Sequence, residues 1–183
     1  MIGIKGTRGV GKTTFLLQYA KEKFGTDRSC LFINMNNFYF SGHSIVDFAN
    51  EFQKRGGKVL LIDQVFKHPD WSRELRMCYD RFPNLKIVFT GSSVMRLKEE
   101  NLELRDIVKS YNLRGFSFRE FLNLQTGMKF RHYTLEEILS SHEQIAKGVL
   151  SKVRPLDYFK TTSITLLPFF LEKRNFSENL LKT

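Results

Sequence analysis

This chain has little of what usually marks secretion, metal binding or membrane insertion. It carries two cysteines in 183 residues, Cys30 and Cys78, with no CxxC spacing and no accompanying histidine pattern. That excludes a disulfide framework and the familiar zinc signatures, and leaves two reduced, mostly buried thiols of a cytoplasmic protein as the expectation. The four histidines, His43, His68, His132 and His142, are scattered and show no metal-ligand spacing. No apolar run reaches the roughly 18 residues that a membrane-spanning helix needs. The opening MIGIKG does not read as a signal peptide, because a glycine-rich loop follows at once. Acidic residues are also scarce: 19 Asp and Glu face 29 Lys and Arg, for a net charge of +10. Such a balance admits phosphate or nucleic-acid partners, and equally a plain solvated basic surface; it says nothing about fold. What the chain does have is phenylalanine, 18 residues of it, within a hydrophobic fraction of 42%. That is enough apolar surface for a sizeable core in one domain, or one domain with a small appendage.

Apolar periodicity then divides the chain. Ile2–Lys5 is a short strand leading directly into GTRGVGKTT. Residues 12–24 read as a helix with Phe15, Leu16, Tyr19, Ala20 and Phe24 near one face. Residues 30–35 are a strand, and 43–55 a helix stopped by Gly56-Gly57. KVLLID (58–63) and LKIVFTG (85–91) are continuous apolar runs of strand length, which implies burial on both faces. Between them WSRELRMCYDRF reads as an amphipathic helix, and 107–113 is a further, more polar strand. Strands alternating with helices predict a parallel α/β sheet with right-handed crossovers and helices on both faces. After about residue 114 the pattern turns helical. Ser117 to Glu120 and Thr134 to Glu137 have capping-box spacing, and Gly127, Pro155 and Pro168 mark breaks. The expected organisation is a sheet-containing core over 1–115 and a helical appendage over 116–183.

The strongest chemical signal is Gly6-Thr7-Arg8-Gly9-Val10-Gly11-Lys12-Thr13, which satisfies G-x-x-x-x-G-K-[ST] between a strand and a helix. Glycines at these points let successive N–H groups turn inward to form an anion nest, and the following helix directs its positive dipole end to the same place. In that reading Lys12 reaches the β- and γ-phosphates, the Thr13 hydroxyl meets Mg²⁺, and Thr14 approaches the α-phosphate. The bland alternative is a glycine-rich turn ahead of a helix.

Asp63 ends the buried strand 58–63, where a carboxylate beside a phosphate loop is expected to hold Mg²⁺, unless it only caps a turn. Thr90-Gly91-Ser92-Ser93 ends the next apolar strand. Its hydroxyls, Ser92 among them, are candidates to sense the γ-phosphate or orient water, and equally to cap a helix before Val94. The residue after Asp63 is Gln64, where many nucleotide hydrolases place a second acid. An amide can orient water but cannot deprotonate it. Lys12, Asp63, Gln64 and Ser92 are therefore the catalytic candidates, and slow turnover is the expectation unless an acid such as Glu51 or Asp70 substitutes.

With these elements in order, the chain resembles a bacterial and archaeal family of AAA-type P-loop ATPases, close to the signal-transducing branch of that superfamily. The likeness rests on GTRGVGKTTFLLQ, on GGKVLLIDQVFKHPDWSRELRMCYDRFPNLKIVFTGSS, on LRGFSFREFLNL, and more weakly on PLDYF and LPFFLE. It implies a three-layer α/β/α P-loop core with added strands beside the phosphate-loop strand, a helical lid, ATP and Mg²⁺ as ligands, and in family members a further C-terminal region. Three positions depart from the family pattern. Gln64 stands where many members have the water-activating Glu. Arg105 is the sole candidate for an arginine acting on a neighbouring subunit. KTTSITLLPFF (160–170) replaces a segment with glycine and aromatics. A one-nucleotide shift of reading frame would account for the last, and a truncated or decayed frame for a chain that starts inside its first strand.

Two rival functions share these residues. A nucleic-acid-associated module would draw on Lys54, Arg55, Lys129, Arg131, Lys147, Lys152, Arg154, Lys173 and Arg174, but no groove-reading motif accompanies them. A protein partner, or self-association through the lid, would use Phe116, Phe118, Phe121, Phe159, Phe169 and Phe170, for which core packing is the plainer account. A small-molecule kinase carries the same loop, and the TGSS strand with SFREF argues for the ATPase side.

Overall fold

The computed structural model describes residues 1–92 and 101–164, in two compact units, Met1–Arg114 and Gly115–Thr183. The first unit contains β1 (Ile2–Gly6), α1 (Lys12–Phe24), β2 (Cys30–Asn34), α2 (Ile45–Lys54), β3 (Val59–Asp63), α3 (Trp71–Arg81), β4 (Lys86–Ser92) and β5 (Lys109–Asn112). The second contains α4 (Phe118–Thr126), α5 (Leu135–Leu150) and α6 (Pro155–Ile164). Among the described residues no helix is long and apolar enough to cross a membrane.

The five strands form one sheet in the order β2-β3-β4-β1-β5, and every pairing is parallel. Side chains of a strand point alternately to its two faces, so the continuous apolar run of β3 supplies both. Val59 and Leu61 join Ile4, Leu16, Ala20 and Phe24 on the α1 face. Leu60 and Ile62 join Ile45, Ala49, Leu75, Cys78 and Phe89 on the face covered by α2 and α3. This is a three-layer α/β/α arrangement of the P-loop nucleotide-hydrolase type, as the sequence predicts, and β4 is the strand inserted between β1 and β3. Strand ends differ from the sequence reading by a residue or so.

Helix α1 corrects one expectation. Leu16 is fully buried and Ala20 and Phe24 partly so, but Phe15 is 50% exposed and Tyr19 37%. A helix lying against a sheet buries only the narrow strip that meets it, and Phe15 and Tyr19 fall outside that strip. Cys78 is buried deep enough to push its thiol up to about 12, whereas Cys30 is only half-buried.

Helix α2 is held from outside itself. Ser44 caps it, and Glu74 of α3 accepts hydrogen bonds from the Ser44 hydroxyl at 3.1 Å and the Ile45 N–H at 2.5 Å. A carboxylate at a helix N-terminus meets free N–H groups and the positive dipole end together. At its other end the chain turns through Gly56 (φ 86°), and Gly57 lies close against the Phe52 ring.

In the second unit both expected capping boxes form, Ser117 with Glu120 and Thr134 with Glu137. Gly127 ends α4 in the left-handed conformation, and Pro155 opens α6. Helix α5 bends at Ser141, whose φ of −140° is not helical, a break that no proline or glycine announces in the sequence. Phe121 is buried and Phe118 packs edge-on against Phe159 at 5.5 Å, while Phe116 and Phe159 are themselves about half exposed. Phe169, Phe170, Pro168, Lys173, Arg174 and the anomalous stretch beyond residue 164 lie outside the described residues.

A Cβ at position 57 would meet three Phe52 ring atoms at 2.5–2.6 Å, whereas one at Gly42 would meet nothing within 4 Å. Gly57→Ala is therefore expected to lower stability by about 1–3 kcal/mol in urea unfolding, against less than about 0.5 kcal/mol for Gly42→Ala.

Candidate functional site

In a parallel sheet the carboxyl ends of all strands share one edge, so the segments leaving β1, β2, β3 and β4 meet there. Register sharpens this. Gly6 of β1 pairs with Ser92 of β4, and Asp63 of β3 pairs with Asn34 of β2.

The loop after β1 owes its shape to two glycines. Gly9 (φ 86°) and Gly11 (φ 93°) occupy the left-handed region, which other residues enter only at a cost. Gly6 is needed for a different reason, since a Cβ there would collide with the Leu113 carbonyl. That carbonyl is itself placed by the Leu113 N–H donating to Lys5 O at 2.7 Å. Lys12 opens α1 and folds its ammonium back over the loop, donating to Gly6 O and Thr7 O, both at 2.8 Å. Partial burial lowers its pKa, and the nearby Asp63 charge works in the opposite direction without cancelling that effect. Thr14 is half-buried in the first turn of α1, and Arg8 is exposed at the loop tip without an ion pair among the described residues.

The Asp63 side chain is 1% exposed and accepts three hydrogen bonds. Thr13 Oγ1 donates to Oδ2 at 2.8 Å, Asn34 Nδ2 donates to the same oxygen at 3.2 Å, and Thr90 Oγ1 donates to Oδ1 at 2.5 Å. A buried carboxylate is tolerable only when its lone pairs are met in this way. The Thr90 hydroxyl in turn accepts from the Gln64 N–H at 2.9 Å. Gln64 reaches that position through φ 54° and ψ 44°, and it is the sole non-glycine with positive φ among the described residues. Its side-chain amide is half-buried and makes no hydrogen bond among those residues.

The structure thus brings Lys12, Thr13, Asp63 and the Gln64 backbone to one edge. Ser92 ends β4 opposite Gly6, and Ser93 and Val94 lie outside the described residues. Arg105 is exposed after a short 3-10 turn (102–104), and the adjacent Asp106 is held by Arg76 at 3.1 Å. Neither alternative acid joins the Asp63 cluster. Glu51 pairs with Lys54 at 3.1 Å on α2, and Asp70 is exposed ahead of α3. Asn34 and the specific part of Thr90 were not singled out by sequence. Their only signal is that each is the polar residue ending or nearly ending an apolar strand.

A family model described as an AAA domain matches residues 1–122. The chain belongs to that family. Membership makes it a protein of the nucleotide-binding ATPase type. The AAA domain match takes in all of the edge just described and runs on to Leu122 in α4. No curated protein matches the chain. Among solved structures it is similar to C. elegans PCH-2, with a TM-score of 0.45 and 19% identity over 69% of this chain and 38% of that one. The chain therefore spans well under half the length of that structure.

Thr90 serves two partners at once, the buried Asp63 carboxylate and the Gln64 N–H. Thr90→Val, which keeps the shape and removes both bonds, is expected to destabilise the AAA domain by about 1–3 kcal/mol in chemical denaturation, with Thr90→Ser recovering most of the loss.

Proposed function

We propose that this chain binds ATP with Mg²⁺ and hydrolyses it slowly, acting as a nucleotide-dependent switch with residues 116–183 as its lid. The observation that carries this reading is the Thr13–Asp63 hydrogen bond, which joins the helix behind the phosphate loop to the end of β3. It brings a hydroxyl oxygen and a carboxylate together beside a loop whose glycines take the positive φ that suits an anion nest.

The donor set suits Mg²⁺. Hard oxygen donors, few in number, leave room for water and phosphate oxygens around an octahedral ion. In this assignment the Thr13 hydroxyl and Asp63 hold the metal, which would supply charge neutralisation at the β- and γ-oxygens. Lys12 would leave the Gly6 and Thr7 carbonyls for the phosphates, an exchange favoured because an ammonium–phosphate bond is charge-assisted at both ends. Gln64 would orient the attacking water through its amide. Without a carboxylate in that position the proton must leave to solvent or phosphate, and loss of a general base commonly costs about 10²–10⁴-fold in rate.

A protein partner or self-association through the helical region draws support from α5, where Leu135 and Leu139 are each about 70% exposed and Ile138 is 44%. Nucleic-acid binding has no comparable support, since Lys54 pairs with Glu51 and Arg131 with Glu137.

Isothermal titration with Mg·ATP, Mg·ADP and Mg·GTP, followed by single-turnover hydrolysis, tests the reading. Lys12→Ala is expected to abolish measurable ATP affinity while the protein stays folded; retained affinity would remove the phosphate-loop assignment. Gln64→Glu is expected to raise the hydrolysis rate at least tenfold with little change in nucleotide Kd, and an unchanged rate would count against the role given to position 64.

A further inference from the structure

We infer that Asn34 is a positioning residue for the divalent cation: by holding one oxygen of Asp63, it sets the affinity for Mg²⁺ and leaves metal-free nucleotide binding alone. The inference rests on the nucleotide reading above and adds to it a residue on a strand that carries no part of the phosphate loop.

The orientation of the Asn34 amide is dictated from both sides. Its Oδ1 accepts the Asn36 N–H at 2.8 Å, and its Nδ2 donates to Asp63 Oδ2 at 3.2 Å. A backbone N–H can be met only by the amide oxygen and a carboxylate only by the amide nitrogen, so the two neighbours demand the same arrangement. The backbone beneath is pinned as well. Asn34 and Asp63 are register partners, and the Met35 N–H donates to Asp63 O at 3.0 Å.

Asp63 Oδ2 is therefore shared between a fixed donor, Asn34, and a donor with a second task, Thr13. A hydroxyl that gives its oxygen lone pair to a cation keeps its proton for the carboxylate. The Thr13–Asp63 bond can thus persist in the metal-bound state, provided the carboxylate does not rotate. Thr90 at Oδ1 and Asn34 at Oδ2 oppose that rotation. Removing the Asn34 amide leaves Thr13 as the sole donor to Oδ2 among the described residues, on a side chain that is 1% exposed, and takes away one of the two restraints on rotation of the carboxylate. The Gln64 side chain takes no part in these bonds, so the effect is read on metal affinity, without recourse to the hydrolysis rate.

The test is a Mg²⁺ titration of the full chain at fixed ATP, read as ATP affinity by calorimetry, beside the same measurement with ATP and EDTA. Asn34→Ala is expected to raise the half-saturating Mg²⁺ concentration about 10–100-fold, with the EDTA value unchanged. Asn34→Ser, whose hydroxyl still offers an acceptor to the Asn36 N–H but is shorter, is expected to move the same way and covers the case in which the alanine variant does not fold. Asn37→Ala is the structural control. It removes the side-chain cap on the Tyr39 N–H in the same loop without touching Asp63, and should leave the Mg²⁺ curve in place. Superimposable Mg²⁺ curves for wild type and folded Asn34 variants would overturn the inference while leaving the nucleotide reading intact, as would an equal shift with Asn37→Ala. A wild-type chain that binds no ATP with or without Mg²⁺ would overturn both.

Discussion

A carboxylate that is 1% exposed must find its hydrogen bonds inside the protein, and in this molecule that requirement organises the functional edge of the sheet. Taking an ionised group out of water costs several kcal/mol unless its lone pairs are met, so the donors around Asp63 are not optional. They come from α1, β2 and β4, the helix after β1 and the two strands that flank β3 in the sheet. Satisfying one side chain therefore also ties the first turn of α1, and with it the glycine loop, to the end of β3. The balance at Lys12 follows from the same crowding. Asp63 attracts its ammonium, burial outweighs that attraction and lowers the pKa, and the Gly6 and Thr7 carbonyls accept its hydrogen bonds.

Gln64 shows what this convergence costs locally. To send its N–H to Thr90 it takes a left-handed conformation that a branched or bulky residue would resist, at a price of about 1–3 kcal/mol. The strain leaves the amide side chain half-buried and without a hydrogen bond among the described residues.

Where sequence reading succeeded, the signal was local. The β3 run is apolar at every position because the sheet is covered on both faces, and alternation then assigns its residues to two cores. The capping boxes at Ser117 and Thr134 form because each closes within four residues. Where it failed, the missing information lay elsewhere in the chain. Phe15 and Tyr19 have the spacing of a buried face, but the width of the strip that α1 buries is set by the sheet beneath it. The bend at Ser141 has no residue of its own to announce it, so a helix read continuously in sequence is broken in space.

The sequence by itself determined the glycine loop after β1, the apolar strands and the helix starts, because glycine stereochemistry, two-residue alternation and capping all act over a few neighbouring residues. It also determined that an amide follows Asp63. Only the tertiary structure decided that β3 lies between β2 and β4, and hence that Asn34 and Thr90 flank Asp63. The reason is separation along the chain. The bonds from Thr90, Asn34 and Thr13 span 27, 29 and 50 residues, and partners that far apart are chosen by strand order, which no local rule of side-chain chemistry encodes.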